Sequence, residues 1–197
     1  ALVICALTMD KLELPRTNIL AYTMPGLFTS IKTIELAHGL MKAIGCSPNI
    51  IDIKQACNMM LLNINYKDSG NDITYQNVQA GERTSTLFRL ANLHNAIVIG
   101  TGDLSEAALG YCTYGVGDQM AHYNVNISVP KTLIRELIQF TTQSSRFYNV
   151  TDQYLLNIAK EPSRHELTDG SITEEEIGPY ELHDFFLYYF LRGYTVQ

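Results

Sequence analysis

Short apolar runs alternate along the chain with longer stretches whose apolar residues recur every three or four positions. Residues 1–12 (ALVICALTMDKL) have helical character and end before Pro15. Residues 18–24 (NILAYTM) predict a strand stopped by Pro25-Gly26. Residues 29–44 predict a helix, because Ile31, Ile34, Ala37 and Leu40 share helical spacing, and Gly45 is placed to cap it. A second strand is predicted over 49–53 (NIIDI), a short helix over 54–64, and a loop over 66–72. Residues 73–95 predict a long helix with Leu87, Leu90, Ala91 and His94 on one face, and 96–101 a third strand. Strand and helix thus alternate, which argues an α/β fold with a parallel sheet and helices on both faces. The second half differs. Residues 132–142 and 152–159 predict helices, 161–176 a polar loop, and 182–191 (LHDFFLYYFL) a very apolar aromatic helix. No internal repeat is visible.

A chain of 197 residues suits one domain spanning 1–197, and 17% charged with 46% hydrophobic residues excludes a disordered chain. The net charge of −6, without any Lys/Arg block, argues against a nucleic-acid surface. An acidic chain that meets an anionic nucleotide needs local cations or a bound metal. The cysteines, Cys5, Cys46, Cys57 and Cys112, form no C-x-x-C pair. They predict free thiols in a reducing, cytoplasmic compartment. No apolar run approaches the roughly 20 residues that span a bilayer. The opening lacks a basic leader and reads as a helix, not a signal peptide.

The richest stretch is 96–131, AIVIGTGDLSEAALGYCTYGVGDQMAHYNVNISVPK. In an open parallel sheet, ligands sit beyond the carboxyl ends of strands. The third strand should place Thr101 there, with Gly100 and Gly102 allowing close backbone approach. Asp103 or Ser105 can cap the following helix, and Glu106 falls in its first turn, where a carboxylate is favoured and could hold Mg2+. A capped turn without any ligand fits these residues too. The long segment 111–131 holds Tyr111, Tyr114, Asp118, Asn124, Asn126 and Lys131, more than a connection needs. Tyrosines can stack on a flat ring and Lys131 can meet a phosphate. Asn77 and Arg83 fall six apart and converge on one site only if the helix bends near Gly81; otherwise Arg83 pairs with Glu82 or Asp72 on the surface. Thr23 and Met24 end the first strand, where their backbone could cradle a base. The histidines show no metal-ligand spacing. Glu174, Glu175 and Glu176 read as a solvated run, and the aromatic helix as core or an oligomer interface.

TYQNVQAGERTSTLFRLAN, IVIGTGDLSEAALGYCTYGVGDQMAHYNVN, VPKTL and IGPYELHDFFLYYFL resemble the synthetase domain of glutamine-dependent NAD+ synthetases, and NILAYTMPG fits its second strand. The resemblance covers nearly the whole chain. It implies a Rossmann-like adenine nucleotide alpha hydrolase fold, ATP and Mg2+, and amidation of deamido-NAD+ through an acyl-adenylate. It implies ATP contacts at Thr101, Lys131, Thr23 and Met24. For deamido-NAD+ it implies Asn77, Arg83, Glu106, Tyr111, Cys112, Thr113, Tyr114 and Asp118, with Glu106 also at the metal; no catalytic residue is assigned. The implied partners are a glutaminase domain as ammonia source and further copies of the chain, with neither nucleic acid nor membrane.

The sequence also departs from that pattern. The family's Ser-Gly-Gly-x-Asp-Ser pyrophosphate loop, expected just ahead of Ala1, occurs nowhere, so the first strand is expected to be missing. The nitrilase-like glutaminase domain is absent, and residues 157–165 lack the family's Ser-x-Glu-Leu-Leu-Pro stretch. A fragment clipped at both ends, inactive by itself, is the expectation. Two alternatives stand beside it: a dinucleotide-binding or oligomerisation fragment without catalysis, and a related amidotransferase-linked ATP pyrophosphatase such as a GMP synthetase.

Overall fold

The computed structural model describes residues 1–68, 70, 72–113, 115, 117, 119–144, 147, 149–161, 167 and 171–195. Helix α1 (Leu2–Lys11) leads through a 3-10 turn (Arg16–Asn18) into strand β1 (Leu20–Thr23). Helix α2 (Ile31–Ile44) starts where the Ser30 hydroxyl accepts from Thr33 N, and stops at Gly45, whose φ of 88° suits glycine. Strand β2 (Ser47–Ile50), α3 (Lys54–Asn63) and the long α4 (Ile73–His94) follow. Then come β3 (Ile99–Asp103), α5 (Leu104–Leu109), β4 (Tyr123–Asn126), α6 (Lys131–Gln143), α7 (Asn149–Lys160), α8 (Thr173–Ile177) and α9 (Tyr180–Phe190).

Both strand pairings are parallel, as the alternation requires, but among the described residues they form two separate pairs, β1–β2 and β3–β4. One cluster of buried side chains, Ala6, Leu40, Ile44, Phe147 and Leu155, joins α1, α2 and α7. A second, Met24, Ile53 and Cys57, sits under α3 with Val78 and Leu87 of α4 packed on it.

Several predicted boundaries move for identifiable reasons. Asn18 closes the 3-10 turn, so the first ladder begins at Leu20. The second strand is Ser47–Ile50, because Leu20 pairs with Ser47. Ile53 is apolar because it is core, 2% exposed, and not because it lies in the ladder. Strand β4 falls inside a stretch predicted as loop, and helix α8 overlaps the end of another. Helix α4 runs unbroken past Gly81. Its buried face is Gln79, Ala80, Thr84 and Ala91, whereas His94 is exposed.

Candidate active site

The site is built where β3 meets α5 and α6. Gly100 pairs with Asn124 and Asp103 with Asn126, so three steps on β3 oppose two on β4. The extra residue makes a bulge at Thr101-Gly102, a device that re-aims side chains beside active sites. The strand therefore carries the Gly-Thr-Gly-Asp segment through and ends at Asp103, not at Thr101. Thr101 lies exposed in the bulge.

Asp103 is also the N-cap of α5. Its carboxylate accepts from Glu106 N at 2.9 Å, and Glu106 Oε2 accepts from Asp103 N at 3.2 Å, a complete capping box. Lys131, the first residue of α6, donates from Nζ to Asp103 Oδ2 and to Glu106 Oε1, each at 2.8 Å. Its ammonium also lies 5.2 Å from the Tyr180 ring centre. Burial alone would lower the Lys131 pKa, but the two carboxylates outweigh it and hold the pKa above its ordinary value. Two carboxylates and one ammonium give the cluster a formal charge of −1.

Beside this triad opens a small pocket of about 30 Å³, lined among others by Gly102, Asp103, Glu106, Cys112, Gln119 and Asn124. Gln119 Oε1 and Asn124 Oδ1 are buried there without a hydrogen-bond partner among the described residues. Both oxygens are sealed from solvent, and the exposed lining of the pocket is mostly apolar. At Gly100 a Cβ would stand 1.8 Å from Asn124 Oδ1, so this glycine is required for β4 to approach. At Gly102 the nearest atoms would be 3.8 Å away.

Helix α4 braces two loops around the site. Arg83 Nε donates to Met24 O at 3.0 Å and its Nη2 to Thr29 Oγ1 at 3.2 Å. Gln79, fully buried, accepts from Leu27 N at 3.0 Å and donates to Leu167 O at 2.8 Å. Thr84 Oγ1 donates to Gly117 O at 2.8 Å, and Asn77 Nδ2 lies 3.3 Å from where a Gly115 Cβ would be. In this continuous helix Arg83 and Asn77 therefore serve different loops, the turn after β1 and the loop after α5.

The NAD synthase family model matches residues 2–197. The chain belongs to the NAD synthase family. It is 45% identical over 202 residues to a glutamine-dependent NAD(+) synthetase of Mycobacterium leprae, covering 98% of this chain and 30% of that protein. The chain therefore spans about 30% of that relative's length. Among solved structures, NMN synthetase from Francisella tularensis superposes with a TM-score of 0.77 at 24% identity, covering 100% of this chain and 74% of that one. Glutamine-dependent NAD+ synthetase from Acinetobacter baumannii, in complex with adenosine diphosphate, gives 0.67 at 24%, covering 83% of this chain and 30% of that one. These superpositions establish the Rossmann-like fold. The family match favours an NAD synthase over a GMP synthetase relative.

Of the residues singled out from sequence, Glu106, Cys112 and Lys131 stand at or beside the cavity. Thr113 is buried nearby in sequence, and Tyr111 donates from its hydroxyl to Glu176 Oε2 at 3.0 Å. Burial, with Glu176 adding to it, pushes the Tyr111 phenol up to about 12. Tyr114 and Asp118 lie outside the described residues. Thr23 donates to Met41 Sδ at 3.8 Å, and Met24 is core as well as the carbonyl that Arg83 grips. The glutamate run is not wholly solvated: Glu174 accepts from Tyr180 N and pairs with Arg135. Pattern reading missed Asp184, buried on α9, although it is the one acid in an aromatic run.

For Mg2+, no group of three or more His, Cys, Asp or Glu able to hold a metal exists among the described residues. Glu106 offers hard oxygen, but Lys131 and Asp103 N already use both its oxygens. Such a carboxylate fits Mg2+ as a single ligand whose other partners are phosphate oxygens and water. No helix among the described residues is long and apolar enough to cross a membrane.

Proposed function

We propose that this chain forms the amide-bond-making part of an NAD+ synthase that converts deamido-NAD+ to NAD+ with ATP. A carboxylate is a poor acyl donor. In the first step a carboxylate oxygen of the nicotinate attacks the α-phosphorus of ATP, and the bond to pyrophosphate breaks. In the second, ammonia attacks the carbonyl carbon of the acyl-adenylate, the bond to AMP oxygen breaks, and a proton leaves to solvent. When bound, Mg2+ held by Glu106 and phosphate oxygens would offset the charge that gathers as pyrophosphate departs.

The observation that carries this reading is the Asp103–Glu106–Lys131 triad bordering a small pocket after β3 in a member of this family. The nicotinate ring of deamido-NAD+ is an N-alkylated, cationic pyridinium. The two carboxylates of the triad suit that ring, and Lys131 is the cation beside them that would meet its carboxylate or a phosphate. The deamido-NAD+ positions are Asn77, Arg83, Glu106, Tyr111, Cys112, Thr113, Tyr114 and Asp118; ATP falls to Thr101, Lys131, Thr23 and Met24. Arg83 acts from behind, by fixing the Met24–Thr29 turn. Ammonia comes from glutamine through a glutaminase domain, the protein is cytoplasmic, and its copies associate.

The test is NAD+ formation from deamido-NAD+, MgATP and ammonium by the protein as its gene encodes it. AMP and pyrophosphate should appear one for one with NAD+. Release of ADP and phosphate instead, or no NAD+ at all, overturns the proposal.

A further inference from the structure

Helix α6 is preceded at its N-cap by Pro130, which offers no capping side chain. The first amide groups of a helix need partners. Here they find them on other helices. Lys131 N donates to Ser105 Oγ at 2.9 Å, and Thr132 N donates to Asp184 Oδ2 at 2.9 Å. Thr132 Oγ1 donates to the same Oδ2 at 2.7 Å, and Ser105 Oγ donates to Asp184 Oδ1 at 2.5 Å. Ser105 is fully buried and Asp184 is 7% exposed. One carboxylate of α9 thus accepts three hydrogen bonds and binds the first turns of α5 and α6 to each other. Its charge also sits where the α6 dipole favours it.

The consequence lies one residue away on each helix. Ser105 precedes Glu106, and Thr132 follows Lys131. The 2.8 Å contact between Lys131 Nζ and Glu106 Oε1 is therefore made by neighbours of the residues that Asp184 holds. Tyr180, four residues before Asp184 and on the same face of α9, lies under the Lys131 ammonium. Helix α9 supplies both the clamp and the surface beneath the charge.

We propose that Asp184 is a positioning residue which, through Ser105 Oγ and Thr132, sets the separation of Glu106 and Lys131 at the mouth of the cavity. This rests on the reading of that cavity as the deamido-NAD+ site only for its effect on affinity; the effect on Lys131 stands without it. Asp184→Asn keeps the volume but removes the charge and turns one acceptor into a donor, so the charge-assisted bonds that hold Ser105 and Thr132 are lost.

The experiment follows three readouts in wild type, Asp184→Asn and Thr132→Ser. They are the thermal midpoint, the 15N NMR signal of the Lys131 ammonium, and the affinity for deamido-NAD+ by calorimetry. In wild type the ammonium signal should be sharp, because two carboxylates protect its protons from exchange. Asp184→Asn should remain folded, lose that signal to exchange, and bind deamido-NAD+ at least about tenfold more weakly. Thr132→Ser, which keeps both donors, should match wild type. An Asp184→Asn protein that is less stable but keeps the Lys131 signal and the affinity shows a purely structural role and overturns the proposal. If Asp184→Asn does not fold, Ser105→Ala cuts only the α5 arm; loss of the Lys131 signal supports the proposal and its retention refutes it. A wild type that fails to bind deamido-NAD+ refutes the reading of the cavity, while the Lys131 signal still decides the positioning role.

Discussion

Gly100 and Gly102 sit two residues apart in the same strand and predict opposite outcomes. A methyl at Gly100 meets Asn124 Oδ1 at 1.8 Å and Ala121 Cβ at 2.7 Å. Gly100→Ala should cost about 1–3 kcal/mol by forcing β4 away, seen as a lowered midpoint in urea. At Gly102 no atom comes within 3.4 Å of the added methyl, which projects beside the cavity. Gly102→Ala should leave stability within about 0.5 kcal/mol of wild type and weaken ligand binding. Lys131→Met leaves Asp103 and Glu106 facing each other without their cation, and should cost about 2 kcal/mol. Cys57 gives a pH prediction. Its thiol is fully buried, and burial, with the Glu82 carboxylate adding, pushes the pKa to about 11 from 9.0. The folded chain holds this proton more tightly than the unfolded chain does. Stability is therefore unaffected below pH 9.0 and falls as pH rises from there through about 11. Denaturant midpoints measured from pH 7 to 11 should show that fall, and Cys57→Ala should reduce it, leaving the part that the Cys5 and Cys46 thiols, also raised by burial, contribute.

At the scale of elements, helices with end signals were legible. Gly45 ends α2 as expected, whereas its start moves from residue 29 to Ile31 because Ser30 is the cap; Asp103 with Glu106 opens α5. Strand ends were not. The bulge at Thr101-Gly102 interrupts the alternation of β3, so its apolar run stops before its ladder does. Strand β4 carries Tyr-Asn-Val-Asn, whose asparagines serve the cavity and the ladder in place of a core, and so it reads as loop. The triad was half legible. Glu106 and Lys131 stood out, but Lys131 was expected on a phosphate and is held by two carboxylates 25 and 28 residues earlier in sequence. No spacing rule reaches that far. Asp184 was hidden because its three donors, Ser105 Oγ, Thr132 N and Thr132 Oγ1, come from two positions far from it in the chain. The capping box itself is testable. Asp103→Asn should shorten α5, and amide exchange at Glu106 should rise first, because its N–H loses its charged acceptor.

For the molecule as a whole, α9 is the feature turned outward. Phe185, Phe186, Tyr188 and Phe190 are each more than half exposed, and they adjoin Leu182 and Leu191. Contiguous apolar surface of this kind marks association. Sedimentation should show a concentration-dependent dimer or larger species, and Phe186→Ser with Phe190→Ser should shift it toward monomer. A monomer at high concentration contradicts that expectation. The site and this face share one helix, since Tyr180 and Asp184 look inward while the aromatics look out. Association would then steady the same helix that holds Ser105 and Thr132.

The most direct measurement is calorimetric titration of deamido-NAD+ into wild type and Gly102→Ala, with thermal midpoints recorded for both. Saturable binding to wild type, weakened at least about tenfold in Gly102→Ala at an unchanged midpoint, is the expected result. Equal affinity in the two proteins, or no binding by wild type, contradicts the placement of the substrate in the Asp103–Glu106–Lys131 cavity.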